Sequence, residues 1–231
     1  MNKLFFPILF IIALNTNAQD SLLINRGPDG DAMGSYLKVD SVSSKILEDL
    51  SAKTKSYENI YVKFKFTFKN ETQDIFEEQE GNIKIDSNRF RLEIIKQIII
   101  SDGSTQWIYL KEANEVQIME YDSEDDMMSP NKLFTIYEQG YKSEYVELKE
   151  INSKKIHVID LFSVESNAFR KIQLQVESTT LKLFNIILYD KNGGSFTYLI
   201  TDFQTNFEKN NTNDYLFNLE DYPEVEVIDL R

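Results

Sequence analysis

Ile60-Tyr61-Val62-Lys63-Phe64-Lys65-Phe66-Thr67-Phe68-Lys69 sorts its side chains with a period of two. Ile60, Val62, Phe64, Phe66 and Phe68 fall on one face of an extended chain, and Lys63, Lys65, Thr67 and Lys69 fall on the other. A helix would scatter both sets around its circumference, so this is a strand that buries one side only. Five large apolar side chains on one face need a sheet around them and a cover above them. The same alternation returns in Ile83 and Ile85, and in Phe90, Leu92 and Ile94 set against Arg89, Arg91 and Glu93, with Ser87-Asn88 as the connection.

Further strands follow at 96–101, with a turn at Asp102-Gly103-Ser104, then at Trp107-Ile108-Tyr109-Leu110 and Val116-Gln117-Ile118-Met119. The second half gives strands at 145–149, 156–162, 170–177, 182–189 and 195–203, and Asp190-Lys191-Asn192-Gly193-Gly194 reads as a hairpin turn. Two helices interrupt the pattern. Residues 40–55 place Val42, Ile46, Leu47 and Leu50 at helical spacing behind Asp40 as N-cap. Ser129-Pro130 starts a second helix carrying Leu133, Phe134, Ile136 and Tyr137 and ending near Gly140. Ten or eleven strands in meander order predict a mainly β, α+β fold: one curved antiparallel sheet or an incomplete β-barrel.

The first 18 residues read as a targeting segment, with Lys3 ahead of the apolar Leu4–Leu14 and a small-residue end at Ala18. Residues 19–39, with Gly27, Pro28, Gly30 and Gly34, read as a flexible leader, and 40–231 as a single exported domain. With no cysteine, disulfides, thiol catalysis, thiolate metal sites and lipid attachment to this chain's own N-terminus are excluded. A net charge of −13 repels nucleic acid and anionic membrane faces and steers toward basic partner surfaces.

Catalytic groups are hard to assemble. His157 is the one histidine, in mid-strand with no acid or nucleophile motif beside it, and no G-x-S-x-G elbow occurs. The acidic run 120–126 fails as a calcium loop: counted from Asp122, the sixth position is Met127 instead of Gly and the twelfth is Leu133 instead of Glu. A carboxylate-pair hydrolase has 38 acids to choose from, but nothing singles out a pair. We expect no enzyme, no cofactor and no metal.

Four runs together resemble the periplasmic lipoprotein carrier family, LolA. They are Tyr57-Glu58-Asn59-Ile60 behind the helix, Glu80-Gly81-Asn82-Ile83-Lys84-Ile85, Ser101-Asp102-Gly103-Ser104-Thr105-Gln106-Trp107-Ile108-Tyr109, and Leu216-Phe217-Asn218-Leu219. The resemblance spans about residues 40 to 231 and implies an incomplete antiparallel barrel with a helical lid. It implies a monomer that takes the acyl chains of lipoproteins from an inner-membrane lipoprotein-releasing transporter to an outer-membrane acceptor. The family's loop arginine is matched here by Ser87, with Arg89 and Arg91 close by as gating or partner residues. The alternative is a non-enzymatic interaction domain of the cell envelope on the same fold.

Alternation nominates the apolar lining: Phe64, Phe66, Phe68, Ile83, Ile85, Phe90, Leu92, Trp107, Tyr109, Ile118 and Met119, completed by Val176, Phe184, Ile186, Phe196 and Tyr198. The lid over it is Leu133, Phe134, Ile136 and Tyr137. Alternation by itself does not separate a hollow interior from a filled core.

Overall fold

The computed structural model describes residues 40–121, 137, 141–163, 169–207 and 212–231. The targeting segment, the leader, and Leu133, Phe134 and Ile136 of the expected lid lie outside the described residues.

The expected strand at Ile60 forms as β1 (Ile60–Asn70), and the turn at 71–74 returns the chain as β2 (Ile75–Asp86). Then come β3 (Arg89–Ile94), β4 (Gln97–Ser101), β5 (Thr105–Leu110) and β6 (Glu115–Glu120). The second run is β7 (Tyr141–Ile151), β8 (Lys154–Ser163), β9 (Phe169–Glu177), β10 (Leu183–Asp190) and β11 (Gly194–Thr205), with a short β12 (Glu226–Asp229) at the end. All join in one open sheet of order β12-β6-β5-β4-β3-β2-β1-β11-β10-β9-β8-β7. Two meanders therefore meet where β11 pairs with β1. The one departure from the expected antiparallel pattern is β12, which runs parallel to β6.

The sequence motifs explain the joints. Asn59 closes the β1–β11 seam: its side chain donates to Phe207 O at 3.0 Å and accepts from Phe207 N at 2.9 Å. In the β4–β5 turn, Asp102 Oδ1 accepts from the N–H of Ser104 and of Thr105, both at 2.8 Å. Gly103 has φ +99, and a Cβ there would run into the Asn88 side chain of the β2–β3 turn, so two turns are packed into one corner.

Helix α1 (Ser41–Lys55) is capped by Asp40 as expected. Its buried stripe is Ser43, Leu47 and Leu50. Val42, nominated for that stripe, is 48% exposed. Ser43 takes its place and bonds Ser143 of β7 at 2.8 Å, so positions i, i+4 and i+7 from Ser43 form the buried side, with Leu47 and Leu50 as expected. The helix lies on the side of Ser143, here called the inner face.

Candidate functional site: the inner face of the sheet

Cross-strand partners share a face, so the register traces the inner face. One row runs Ser143, Leu161, Ile172, Leu188, Phe196, Phe68, Glu77. The next runs Tyr145, Ile159, Leu174, Ile186, Tyr198, Phe66, Gln79. Each row is apolar through the middle and polar at both ends. Leu161, Ile172, Leu174 and Leu188 are fully buried, whereas Phe68, Phe196 and Tyr198 are only partly so.

At the β1–β11 seam the aromatic side chains form one cluster. Phe68 stacks on Phe196 at 4.7 Å, Phe66 meets Tyr198 at 5.1 Å, and Phe64 meets Tyr198 at 5.9 Å. Phe169 of β9 adds an edge-on contact to Phe196 at 6.0 Å. Burial pushes the Tyr198 phenol well above its ordinary range, so its hydroxyl stays neutral in this apolar setting. Gly81, paired with Phe64, leaves room for the Phe64 ring: a Cβ there would lie 2.7 Å from Phe64 Cζ. Continuing past β2, the inner face carries Ile83, Ile85, Phe90, Leu92, Ile99 and Ile108, and Tyr121 sits edge-on to Phe90 at 5.6 Å.

The nominated lining therefore divides. Phe64, Phe66, Phe68, Ile83, Ile85, Phe90, Leu92, Met119, Val176, Ile186, Phe196 and Tyr198 share the inner face by register. Trp107, Tyr109 and Ile118 do not: Trp107 pairs with Ile100 and Ile118, Ile100 with Arg91, and Arg91 with Lys84, all on the outer side. Phe184 falls at the irregularity between Leu183 and Asn185. Of the expected lid, Tyr137 is described; it is buried, and its hydroxyl lies 3.5 Å from Thr54 Oγ1 at the far end of α1.

Arg89 and Arg91 also stand on the outer side, where they hold the C-terminal segment. Arg89 pairs with the buried Asp86 at 2.6 Å and lies 4.9 Å above the Tyr215 ring. Burial opposes the charge of Arg91, but its bonds to Glu93 and Tyr222 outweigh that and raise its pKa. Lys84 bonds Asp214 at 2.7 Å. Tyr222 stacks on Phe217 at 4.4 Å and tilts onto Tyr109 at 4.5 Å, and Asn114 donates to Pro223 O at 3.1 Å. This segment packs on the outer side of the sheet, and its Glu226–Asp229 pairs with β6. Ser87 occupies an exposed turn at φ +58.

His157 accepts or donates one bond, to the Tyr145 hydroxyl at 3.2 Å, and burial lowers its pKa. Among the described residues no three His, Asp or Glu side chains converge as a metal site, and no helix is long and apolar enough to cross a membrane. An open groove of about 380 Å³ at β1–β3 is lined by the charges of Lys63, Glu80, Glu93 and Lys111 together with Phe64, Gly81 and Ile94.

A family model described as outer membrane lipoprotein carrier protein LolA matches residues 69–192, more than half of the chain. The chain belongs to the LolA family. None of the curated proteins matches it. Among solved structures, an uncharacterised conserved protein from Thermus thermophilus superposes with a TM-score of 0.54 at 11% identity, over 81% of this chain and 99% of that one. A LolA superfamily protein from Nitrosomonas europaea gives 0.38 at 11% identity, over 72% and 94%. LprF from Mycobacterium bovis gives 0.46 at 11% identity, over 70% and 92%. At 11% identity the likeness to the Thermus protein speaks for the fold alone.

Proposed function

We propose that this chain is an exported, non-enzymatic carrier that holds the acyl chains of lipoproteins against the inner face of its sheet. The observation behind the reading is the aromatic seam within a LolA-family fold, in which Phe64 and Phe66 are buried while Phe68, Phe196 and Tyr198 are left partly exposed. Export rests on the targeting pattern of residues 1–18. Donor and acceptor are an inner-membrane lipoprotein-releasing transporter and an outer-membrane protein, by family likeness.

Energetics favour exchange over extraction. Each methylene moved out of water contributes about 0.8 kcal/mol, so a three-chain anchor with about 45 of them would gain about 36 kcal/mol. That exceeds the observed ceiling for non-covalent affinity, roughly 20 kcal/mol. A carrier that moves chains from one apolar setting to another keeps transfer nearly balanced and reversible. Phenylalanine faces offer apolar area without polar groups that an acyl chain would leave unpaired.

A second reading, an envelope interaction domain, is favoured by the complete burial of Leu161, Ile172, Leu174 and Leu188, which describes a filled core along that part of the face. Displacement of a fluorescent fatty acid from delipidated protein separates the two. The carrier reading expects saturable binding that Phe68→Asp/Phe196→Asp weakens by about tenfold or more, since each partly buried ring contributes up to about 1.5–3 kcal/mol of apolar contact. Absence of binding by the unaltered protein leaves the interaction-domain reading.

A further inference from the structure

Strands of unequal length leave an open edge inside the sheet. β2 pairs with β1 along all of Ile75–Asp86, but with β3 only from Gly81 to Asp86. β3 ends at Ile94, opposite Gly81, and Ile95-Lys96 turns the chain back into β4. Residues 75–80 of β2 therefore have a strand on one flank and, among the described residues, none on the other. That edge is about 20 Å long, and alternate residues along it present both N–H and C=O. At its foot lies the open groove lined by Glu80, Gly81, Glu93, Ile94 and Lys111. Phe76 near its far end is 65% exposed, and Ile95 beside its foot is 64% exposed.

The filled flank shows what the empty one accepts. Register puts Glu77 and Gln79 of β2 on the inner face, where Phe68 and Phe66 of β1 stand beside them. It puts Phe76, Glu78 and Glu80 on the outer face, beside Lys69, Thr67 and Lys65. Glu78 bonds Lys65 at 2.8 Å. β2 is thus matched to a strand that is apolar inward and basic outward, and its open flank shows the same side chains on the same faces. A second copy of this edge fits poorly, because centred antiparallel pairing sets Glu77 against Glu78. The long edge at β7 is already partly stopped: Asp40 Oδ2 accepts the Tyr145 N–H at 2.5 Å, while Oδ1 caps α1 through Val42 N at 3.0 Å.

We propose that residues 75–80 of β2 are a docking edge for an extended segment of a partner protein, with apolar residues on one face and Lys or Arg on the other. The segment adds as a strand in line with β3. Its apolar side chains flank Glu77 and Gln79 as Phe68 and Phe66 do, its basic side chains meet Glu78 and Glu80, and main-chain hydrogen bonds hold it. The net charge of −13 draws such a segment in. The edge offers this whether or not the inner face holds acyl chains.

A short synthetic peptide of alternating Val and Lys, capped at both ends, is the probe. Its controls are the Val/Glu counterpart and a fully N-methylated Val/Lys form, which keeps the charge and loses every N–H. Hydrogen exchange followed by mass spectrometry on the full chain locates the contact, and anisotropy of labelled peptide measures binding. The Val/Lys peptide should slow exchange in 75–80 by about tenfold or more, since the open amides gain partners; neither control should. Glu78→Lys/Glu80→Lys, with its fold checked by circular dichroism, should reverse the preference toward the Val/Glu peptide. Equal binding by the N-methylated peptide would mean attraction without strand pairing and overturn the proposal. So would protection in 141–151 or 226–229 in place of 75–80, or no protection at all. The peptide controls on the unaltered protein decide the outcome even where the double variant loses its fold.

Discussion

Gly81→Ala is the sharpest probe of how the inner face is built. A Cβ at this position would stand 2.7 Å from Phe64 Cζ, 2.8 Å from Ile94 Cγ2 and 2.9 Å from Glu93 O. The first two neighbours are side chains that can shift; the third is backbone in a paired strand and cannot do so cheaply. Overpacking of this kind costs about 1–3 kcal/mol, and the backbone contact argues for the upper part, about 2–3 kcal/mol. In a domain of this size each kcal/mol lowers the melting temperature by about 2–4 °C, so the midpoint should fall by about 4–12 °C in calorimetry. Phe64→Leu removes the ring edge that the new methyl meets and leaves the Ile94 and Glu93 contacts in place. In that background the cost of Gly81→Ala should drop by about 1 kcal/mol, a coupling well outside the roughly 0.3–0.5 kcal/mol scatter of independent sites. If none of Phe64, Ile94 and Glu93 O crowded Gly81, the alanine would only stiffen the unfolded chain and stabilise by about 0.4–1 kcal/mol. A neutral or stabilising Gly81→Ala, or strict additivity with Phe64→Leu, would refute the packing described for the seam.

Two further outcomes follow from other parts of the molecule. Tyr222→Ala removes the ring between Phe217 and Tyr109 and the partner of Arg91, and should cost about 1–3 kcal/mol in urea titration; a change within error would mean that the C-terminal segment is not held on the outer face. Asp40 has a folded pKa below the ordinary 3.8, chiefly through the Tyr145 N–H, so its contribution is complete above that value and disappears as pH falls through the lower folded value. Exchange protection of α1 should therefore show an acid-side loss confined to pH below about 3.8 that Asp40→Asn abolishes; the same loss in the variant would assign it to another carboxylate.

The sheet was largely legible because period-two alternation is strong wherever one face is wet. Along β1 the lysines face outward and the phenylalanines inward, and the register to β2 and β3 keeps Ile83, Ile85, Phe90 and Leu92 on the same side. That thread breaks at β4, where all of Gln97–Ser101 is buried and neither face declares itself. Across such a strand parity has to be carried by counting, and alternation alone does not say whether Trp107 and Tyr109 or Ile108 face inward. Register settles the faces: Ile108 pairs with Ile99, which pairs with Leu92, while Trp107 pairs with Ile100. The buried outer side of β4 has a distant cause. Residues 212–231 fold back over it, with Lys84, Arg89 and Arg91 reaching Asp214, Tyr215 and Tyr222 and with β12 extending the sheet beside β6. Nothing local to β4 announces that contact, because its partners lie more than a hundred residues away. The same separation hid the second role of Asp40. Its N-cap was readable from the residues that follow it, whereas its bond to Tyr145 exists only because the second meander returns a bulged terminal strand beneath the start of the helix. Local periodicity therefore specifies which residues are buried, and long-range strand order decides which of the two faces buries them.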